Sequence, residues 1–347
     1  MRKHLRVILS LLSLSTLTTI AQETRLLRQP TISKKQITYT YGGDVWTTNL
    51  TTNQTTRLTS TQAVESYPYI SPDGKWVAFT SNRFGRNDVF IVPTSGGEAK
   101  RLTWHPSGSS VRGWTNDGKN ILFASPRNTA PKSYNKLYTI SVKGGPATKI
   151  SDQWAFSGSY NSNENKIAID RMSRWDTEWR DYRGGQNTPL IILDLKSQKE
   201  ILIPNKKTTD KQPIWIKDKI YFLSDRTHTA NIWSYDINTK TVNQITKFEG
   251  TAVKSLNGDT EQLIFEQNGY LHTLNLNSKK ITKLKIELKG DFPWTATKWE
   301  NVNSRVDFAS ISPNGKRVLM SASRISRWDT LWRDYRGGQN TPLIILD

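Results

Sequence analysis

The feature that most constrains this chain is an internal repeat. Residues 67–103 read YPYISPDGKWVAFTSNRFGRNDVFIVPTSGGEAKRLT and hold four short strand candidates, at 67–70, 75–81, 88–93 and 99–103. Pro72-Asp73-Gly74 and Gly96-Gly97 punctuate them, with Pro presetting φ and Gly permitting positive φ. Weaker copies end at Leu58-Thr59, Ile150-Ser151, Ile203-Pro204, Ile245-Thr246 and Leu284-Lys285. Successive ends lie 39 to 53 residues apart, the spacing of a four-stranded propeller blade. The second strand returns as QITYTY from Gln36, NILFAS from Asn120, KIAIDR from Lys166, KIYFLS from Lys219 and QLIFEQ from Gln262. The third returns as DVWTTNL from Asp44, KLYTISV from Lys136, NIWSYDI from Asn231 and YLHTLNL from Tyr270. Both registers alternate with period two, as half-buried strands do.

The pattern predicts an all-β fold, a six-bladed propeller spanning residues 22–288. Blade 1 already has four strands in order, starting near Thr31, Gln36, Asp44 and Thr55. No strand is left over to complete blade 6, so the ring is expected to be open in topology and closed by side-chain packing. Residues 289–306 read as a linker. From Asp307 the blade pattern restarts, with a Pro313-Asn314-Gly315 turn, and residues 307–347 read as an incomplete first blade of a second domain.

A near-duplication interrupts this gradual drift. Residues 173–194 and 326–347 agree at 21 of 22 positions, differing only at Glu178 against Leu331. The likeness extends over 324–347 against 171–194 and occupies the same place, between second and third strands. Other blades have diverged as far as SPDGKWVAF from SPNGKRVLM. Two readings remain, a genuine long loop used twice or a recent jump between matching blade positions, in the gene or its assembly; we expect the jump, with Asp347 as a cut end.

The N-terminus reads as a leader. MRKHLR is basic, VILSLLSLSTLTTIA is apolar, and Thr19-Ile20-Ala21 precedes Gln22, which predicts export with cleavage after Ala21. The apolar run is short for a membrane span, and no later segment is apolar enough to supply one. The 49 basic and 30 acidic residues give a net charge of +19. The cations are spread along the chain and no recognition-helix, zinc or RNA-binding pattern appears, so no nucleic acid partner is expected.

The unit SPDGKWVAFTSNR…DVFIVPTSGGEAKRLT resembles the repeat of the tricorn proteases and of TolB-like periplasmic propellers. The blade order over about residues 26–325, the blade-4 insertion with Tyr182-Arg183-Gly184-Gly185, and DKIYFLSDRTHTANIWSYDINTKTVNQIT in blade 5 are similar to the N-terminal propeller of the tricorn family. That resemblance implies a serine peptidase acting on peptides within a homo-oligomer, with a second propeller opening near Asp307. It implies a nucleophile and catalytic histidine in later domains, so no catalytic role transfers here and this chain alone is expected to be inactive.

The residues agree. There is no Gly-x-Ser-x-Gly elbow, no metal spacing and no Gly-rich phosphate loop, so neither a metal nor a cofactor is expected. There are no cysteines, and the histidines, His4, His105, His228 and His272, are scattered. Asp73, Asp117 and Asn314 precede glycines as turn formers. One constellation stands out: Arg174, Trp175, Trp179, Arg180, Tyr182 and Arg183, with Asp176 and Asp181. Guanidinium groups and rings suit peptide groups through forked hydrogen bonds and stacking. They equally suit a protein interface or packing over the loop's own blade. The alternative function is a stand-alone TolB-like module that binds a protein partner. A glycan hydrolase would need converging carboxylates, and the inner-strand candidates TIS, YPYIS, SSVRGW, AFSGSY, QPIWI and AVKSL contain none.

Overall fold

The computed structural model describes residues 23–129, 134–171, 189–290, 292, 306–322 and 343–346. Six four-stranded antiparallel sheets, each of consecutive strands, span residues 28–57, 65–101, 110–154, 157–202, 210–244 and 256–283. They are the six blades of a β-propeller, with no helix among the described residues. The innermost strands are Arg28–Ser33, Glu65–Ile70, Ser110–Trp114, Ser157–Tyr160, Asp210–Ile216 and Leu256–Gly258, and each touches the innermost strands of both neighbouring blades.

The middle strands are buried on both faces rather than half-buried. Val77, Ala78, Phe79, Thr80 and Ser81 are all buried. The period-two alternation divides the side chains between two neighbours. Val77 and Phe79 pack with Val45 and Leu58 of blade 1, while Ala78 packs with Val111, Ile121 and Phe123 of blade 3. The same division recurs around the ring, so the hydrophobic clusters are the six blade–blade interfaces. That explains why the repeat reads apolar and aromatic where a solvent-facing sheet would read polar on alternate positions.

A second device recurs within blades. Asp44 pairs with Arg57 and Asp88 with Arg101, each at 2.7 Å. Thr59, Thr103 and Thr246 accept the backbone N–H of Val45, Val89 and Ile232 at 2.8, 3.0 and 2.9 Å. A threonine hydroxyl thus continues the ladder where the outer strand ends. For this reason the outer strand of blade 2 is only Lys100–Arg101, shorter than the expected 99–103.

The expected turns form. Gly74, Gly118 and Gly315 have φ of +80°, +68° and +69°. Asp73 accepts from Ser71 Oγ and Lys75 N, Asp117 from Thr115 Oγ1 and Lys119 N, and Asn314 from Ser312 Oγ and Lys316 N.

No strand is shared at the ring's seam, as the open topology requires. Closure is more than side-chain packing, however. Arg28 Nε donates to Glu266 Oε2 at 2.9 Å, with both side chains buried. Thr24 N and Leu26 N donate to the carbonyls of Ile286 and Gly269 at 3.0 and 2.9 Å. Leu27, Ile32, Ile37, Tyr39 and Trp46 of blade 1 share a core with Ile264, Leu271 and Ile286 of blade 6.

Beyond the ring, Val306–Ile311, Val318–Ala322 and Leu343–Leu346 form a three-stranded sheet. Leu346 pairs with Val318 there, as Leu193 pairs with Ile167 in blade 4. Each copy of the duplicated segment thus supplies the third strand of its sheet, with the paired residues 26 positions apart in blade 4 (193 − 167) and 28 apart here (346 − 318).

Glu266→Ala would leave the Arg28 guanidinium buried without its carboxylate. We expect a loss of about 3–5 kcal/mol in urea unfolding, whereas Lys119→Ala, removing an exposed partner of Asp117, changes stability by less than about 0.5 kcal/mol. Equal effects would contradict the role assigned to the seam.

Candidate functional site

The inner strands carry recurrent bulges. Register shifts occur between Arg28 and Thr31, Ser66 and Tyr69, and Lys211 and Ile214, and opposite Leu122/Phe123 in blade 3. Gln29, Tyr67 and Gln212 have φ of +53°, +52° and +53°, each directly before a proline. Non-glycine residues take this conformation only where the surroundings over-determine it. Here a clamp does so. The N–H of Gln29 donates to Glu266 Oε1 of blade 6, and Gln29 Oε1 accepts the N–H of Tyr67 in blade 2 at 2.7 Å. Likewise Gln212 N donates to Asp170 Oδ2 of blade 4 at 2.7 Å, and Gln212 Oε1 accepts Leu256 N of blade 6 at 3.1 Å. Each clamp ties three consecutive blades at the inner wall.

In blade 3 the bulge presents Arg112. Its guanidinium lies 4.0 Å from the Tyr67 ring centroid and 3.9 Å from that of Phe156. Nε donates to Phe156 O at 2.9 Å and Nη1 to Val111 O at 2.7 Å. Close by, Asp170 is buried. Its Oδ2 also accepts from Ser157 Oγ at 2.6 Å, and its Oδ1 is buried without a hydrogen-bond partner. Burial pushes the Asp170 carboxyl above the ordinary carboxylate range, against the hydrogen bonds from Ser157 and Gln212 and the charges of Arg112 and Lys211. The phenol of Tyr69 is pushed up to about 12, chiefly by burial.

One end of the ring bears the loops between second and third strands and the connectors between blades. Three Ser-x-Arg triplets fold back there. Arg83 reaches Glu65 at 2.9 Å and Arg226 reaches Asp210 at 2.7 Å. Arg127, where blade 3 has Ser109 in place of the carboxylate, donates to the Ser109 hydroxyl at 2.9 Å. Burial holds the Arg127 guanidinium below its usual range. Asp210 is shifted up by burial despite Arg226, because desolvation of the carboxylate outweighs the pairing. Glu65 and Asp210 are the first residues of their inner strands, so those strands do carry carboxylates, contrary to the sequence expectation. They are buried and paired rather than converging. The sequence signal was the recurrence of SNR, SPR and SDR.

The same end exposes aromatic rings. Phe84 and Trp104 are each 62% exposed, and Arg101 Cζ lies 4.6 Å and 5.6 Å from their centroids. Trp154, also exposed, lies under Arg171 Cζ at 5.3 Å. Arg171 bonds Gln153 and Glu200 at 3.1 and 2.9 Å. It is the last described residue before the predicted loop, and Leu190 re-enters the blade fully buried. Arg174, Trp175, Trp179, Arg180, Tyr182 and Arg183 themselves lie outside the described residues. Of the histidines, His105 Nδ1 accepts Ser107 N in a connector, and His272 stacks on Phe265 at 5.5 Å with burial lowering its pKa. His228 turns a loop at φ +69°, and His4 lies outside the described residues.

Residues 24–280 match a family model described as the tricorn protease N-terminal beta propeller domain. Tricorn protease homolog 1 of Streptomyces coelicolor is 29% identical over 323 residues, covering 90% of this chain and 29% of that protein. A putative tricorn-like protease N-terminal subunit of Sulfurisphaera tokodaii is 32% identical over 172 residues, covering 47% of this chain and 84% of that protein. A crystal structure of the tricorn protease is similar in fold, with a TM-score of 0.69 at 22% identity, over 85% of this chain and 29% of that one. The chain thus spans less than a third of the length of the first of these relatives.

Asp170 gives the wall a pH signature. A carboxyl raised in the folded state holds its proton more tightly there than in the unfolded chain. Its contribution to stability therefore falls as pH rises from about 4 and levels off above the folded-state pKa. Asp170→Asn, a neutral mimic of the protonated acid, removes this fall. The difference between wild-type and variant unfolding free energy should decline with rising pH. A difference that grows with pH would show the carboxylate to be stabilised in place.

Proposed function

The chain belongs to the tricorn protease N-terminal β-propeller family, and we propose that it serves substrate or product passage and assembly in an exported serine peptidase whose catalytic domains lie outside it. The carrying observation is the coincidence of the matched residues 24–280 with one complete six-bladed ring, in a chain that spans under a third of a relative's length. The basic, apolar and small-residue order of residues 1–21 supports export. The blade-like turn and strands from Val306 support the start of a second propeller.

The inner wall suits passage of extended chains. The partly exposed Gln29 and Gln212 are fixed by hydrogen bonds to neighbouring blades, and buried Arg112 braces the wall behind them by backbone bonds and stacking, so a peptide moving past meets a polar wall that does not collapse onto it. The loop-bearing end suits assembly, because exposed Trp, Phe and Arg are the residues that anchor protein interfaces. Arg180 and Arg183, in the segment that follows Arg171, extend that chemistry toward a subunit contact or a peptide.

Sequencing the source DNA across codon 324 and beyond codon 347 tests the peptidase reading. We expect an open frame running on into further propeller and Ser/His-bearing domains. A stop directly after a closed ring would overturn it in favour of a binding module. In solution, the purified chain should leave unstructured peptides uncut over hours, as followed by mass spectrometry. In the full-length protein, R180A/R183A should weaken oligomer assembly or peptide binding by about tenfold or more, read by sedimentation and fluorescence anisotropy. Unchanged behaviour in both would reduce that loop to packing.

A further inference from the structure

Two blade junctions share one plan, and one of them is short of a negative charge. At blades 1 and 2, two arginines face two carboxylates. Arg57 pairs with Asp44 at 2.7 Å and Arg83 with Glu65 at 2.9 Å, and Thr59 gives its hydroxyl to Glu65 at 3.1 Å. At blades 2 and 3, Arg101 pairs with Asp88 at 2.7 Å, and Thr103 gives its hydroxyl to Asp88 at 2.9 Å. The second carboxylate is replaced. Glu65 stands opposite Ser81 in its blade. Ser109, which precedes Ser110 opposite Ala124, holds that place beside Ser125.

Arg127 is buried all the same, with 9% of its surface accessible. It is held by two hydroxyls. Nη2 donates to Ser109 Oγ at 2.9 Å and Nε to Ser125 Oγ at 3.1 Å. The rings of Phe123 and Tyr138 lie 5.0 and 5.1 Å from its Cζ. Arg226, its counterpart in blade 5, has Asp210 and the carbonyl of Pro204, each at 2.7 Å. Asp88 is the carboxylate whose charge reaches Arg127, and it is already taken by Arg101 and Thr103. The chain nearby supplies no other, since residues 103–116 and 124–136 contain no Asp or Glu. A guanidinium removed from water without a counter-charge is costly.

The remaining groups around Arg127 are donors. Ser109 gives its proton to no acceptor among the described residues. His105 accepts Ser107 N at Nδ1, at 3.2 Å, which puts the proton of the neutral ring on Nε2. Burial and the Arg127 charge hold His105 below its usual range. Asn87, Pro106, Ser107 and Asn128 are exposed, so the junction lies at the rim of the ring. A glutamate exceeds a serine by the atoms of a carboxylate group, and that is what Ser109 lacks relative to Glu65.

We infer that this junction is a binding site for a small carboxylate taken from solution, whose oxygens accept from the Arg127 guanidinium and the Ser109 hydroxyl as Glu65 accepts from Arg83. The ligand completes the charge set between blades 2 and 3, and the stability of the ring follows its concentration.

The test uses the whole purified chain and sodium formate, the smallest carboxylate, exchanged for sodium chloride at constant ionic strength and neutral pH. Thermal unfolding is followed by circular dichroism. We expect formate to raise Tm by about 2–4 °C and to saturate. Arg127→Gln removes the charge and abolishes the rise. Ser109→Glu places the carboxylate on the chain, raises Tm in chloride and removes the response to formate. In NMR spectra of the histidine rings, formate moves the signals of His105 and leaves those of His228 and His272 in place, a reading that needs neither variant to fold. An equal rise in wild type and Arg127→Gln would overturn the site in favour of a general salt effect. A formate response that persists in folded Ser109→Glu would overturn its location. An unchanged Tm with unmoved His105 signals would show that two serine hydroxyls alone satisfy Arg127.

Discussion

The ring depends on its one seam. Five blade–blade interfaces are joined by continuous chain, and the sixth, between blades 6 and 1, must be held by contacts alone. Leaving it open would expose Ile37, Tyr39 and Trp46 on one side and Ile264 and Leu271 on the other. Their burial is the main favourable term, at about 1.5–3 kcal/mol for each large side chain removed from water. The Arg28–Glu266 pair adds something different. A buried ion pair is weak evidence for net stability, since desolvation offsets the attraction. Its geometry is demanding, though. Nε of Arg28 takes one carboxylate oxygen and the N–H of Gln29 takes the other. Blade 1 can therefore dock on blade 6 in only one register.

The seam is a variation on a junction used elsewhere. At blades 4 and 5, Asp170 stands in for Glu266 and Gln212 for Gln29. The residue before the bulged glutamine is Arg28 in one case and Lys211 in the other. Arg28 satisfies the second carboxylate oxygen of Glu266. The corresponding oxygen of Asp170 is left buried without a hydrogen bond, so the burial that raises its carboxyl is less fully offset. The junction inside continuous chain tolerates an imperfect clamp. The junction that must close across a gap carries the complete one.

Much of the ring was legible in the sequence because its cause is local. Strand alternation and the Pro-Asp-Gly turns are written within a few residues, and Asp73 and Asp117 do what their position before glycine implies. The two-sided burial was not legible from period two alone. Val77 and Ala78 are both apolar, and only the ring assigns them to different neighbours. Nor were the clamps, which join residues 42 and 237 positions apart. A glutamine before proline reads as a polar turn until the bulge places its amide oxygen against the next blade. The carboxylates of Glu65 and Asp210 escaped notice because the inner strands begin earlier than their apolar residues suggested. The candidate loop at 174–183 was legible as chemistry, yet its residues lie outside those described, and only Arg171 and Leu190 mark where it leaves and rejoins the blade.

The two ends of the ring differ in what they can become. At the end opposite the loops, tight turns lock onto one another. Ser33 Oγ donates to Pro72 O at 3.0 Å, Lys34 N to Asp259 Oδ2 at 3.0 Å, and Asn116 N to Glu164 Oε1. Lengthening any of these turns would break a neighbour's bond. At the other end the connectors tie neighbouring blades, with Glu65 N donating to Gly43 O at 2.8 Å, Ser109 N to Asn87 O at 2.7 Å and Val253 N to Ala230 O at 2.9 Å, while the second-to-third-strand loops vary in length from the two-residue Asn268-Gly269 turn to the long insertion of blade 4. Insertions there cost little, because loop closure entropy grows only slowly with length. The seam contact of Leu26 with Gly269, the chain's exit after Leu288, the exposed Phe84 and Trp104, and Arg171 before the blade-4 loop all lie at that end. Both ends thus hold neighbouring blades together, and the tolerance to change is concentrated in the loops between second and third strands.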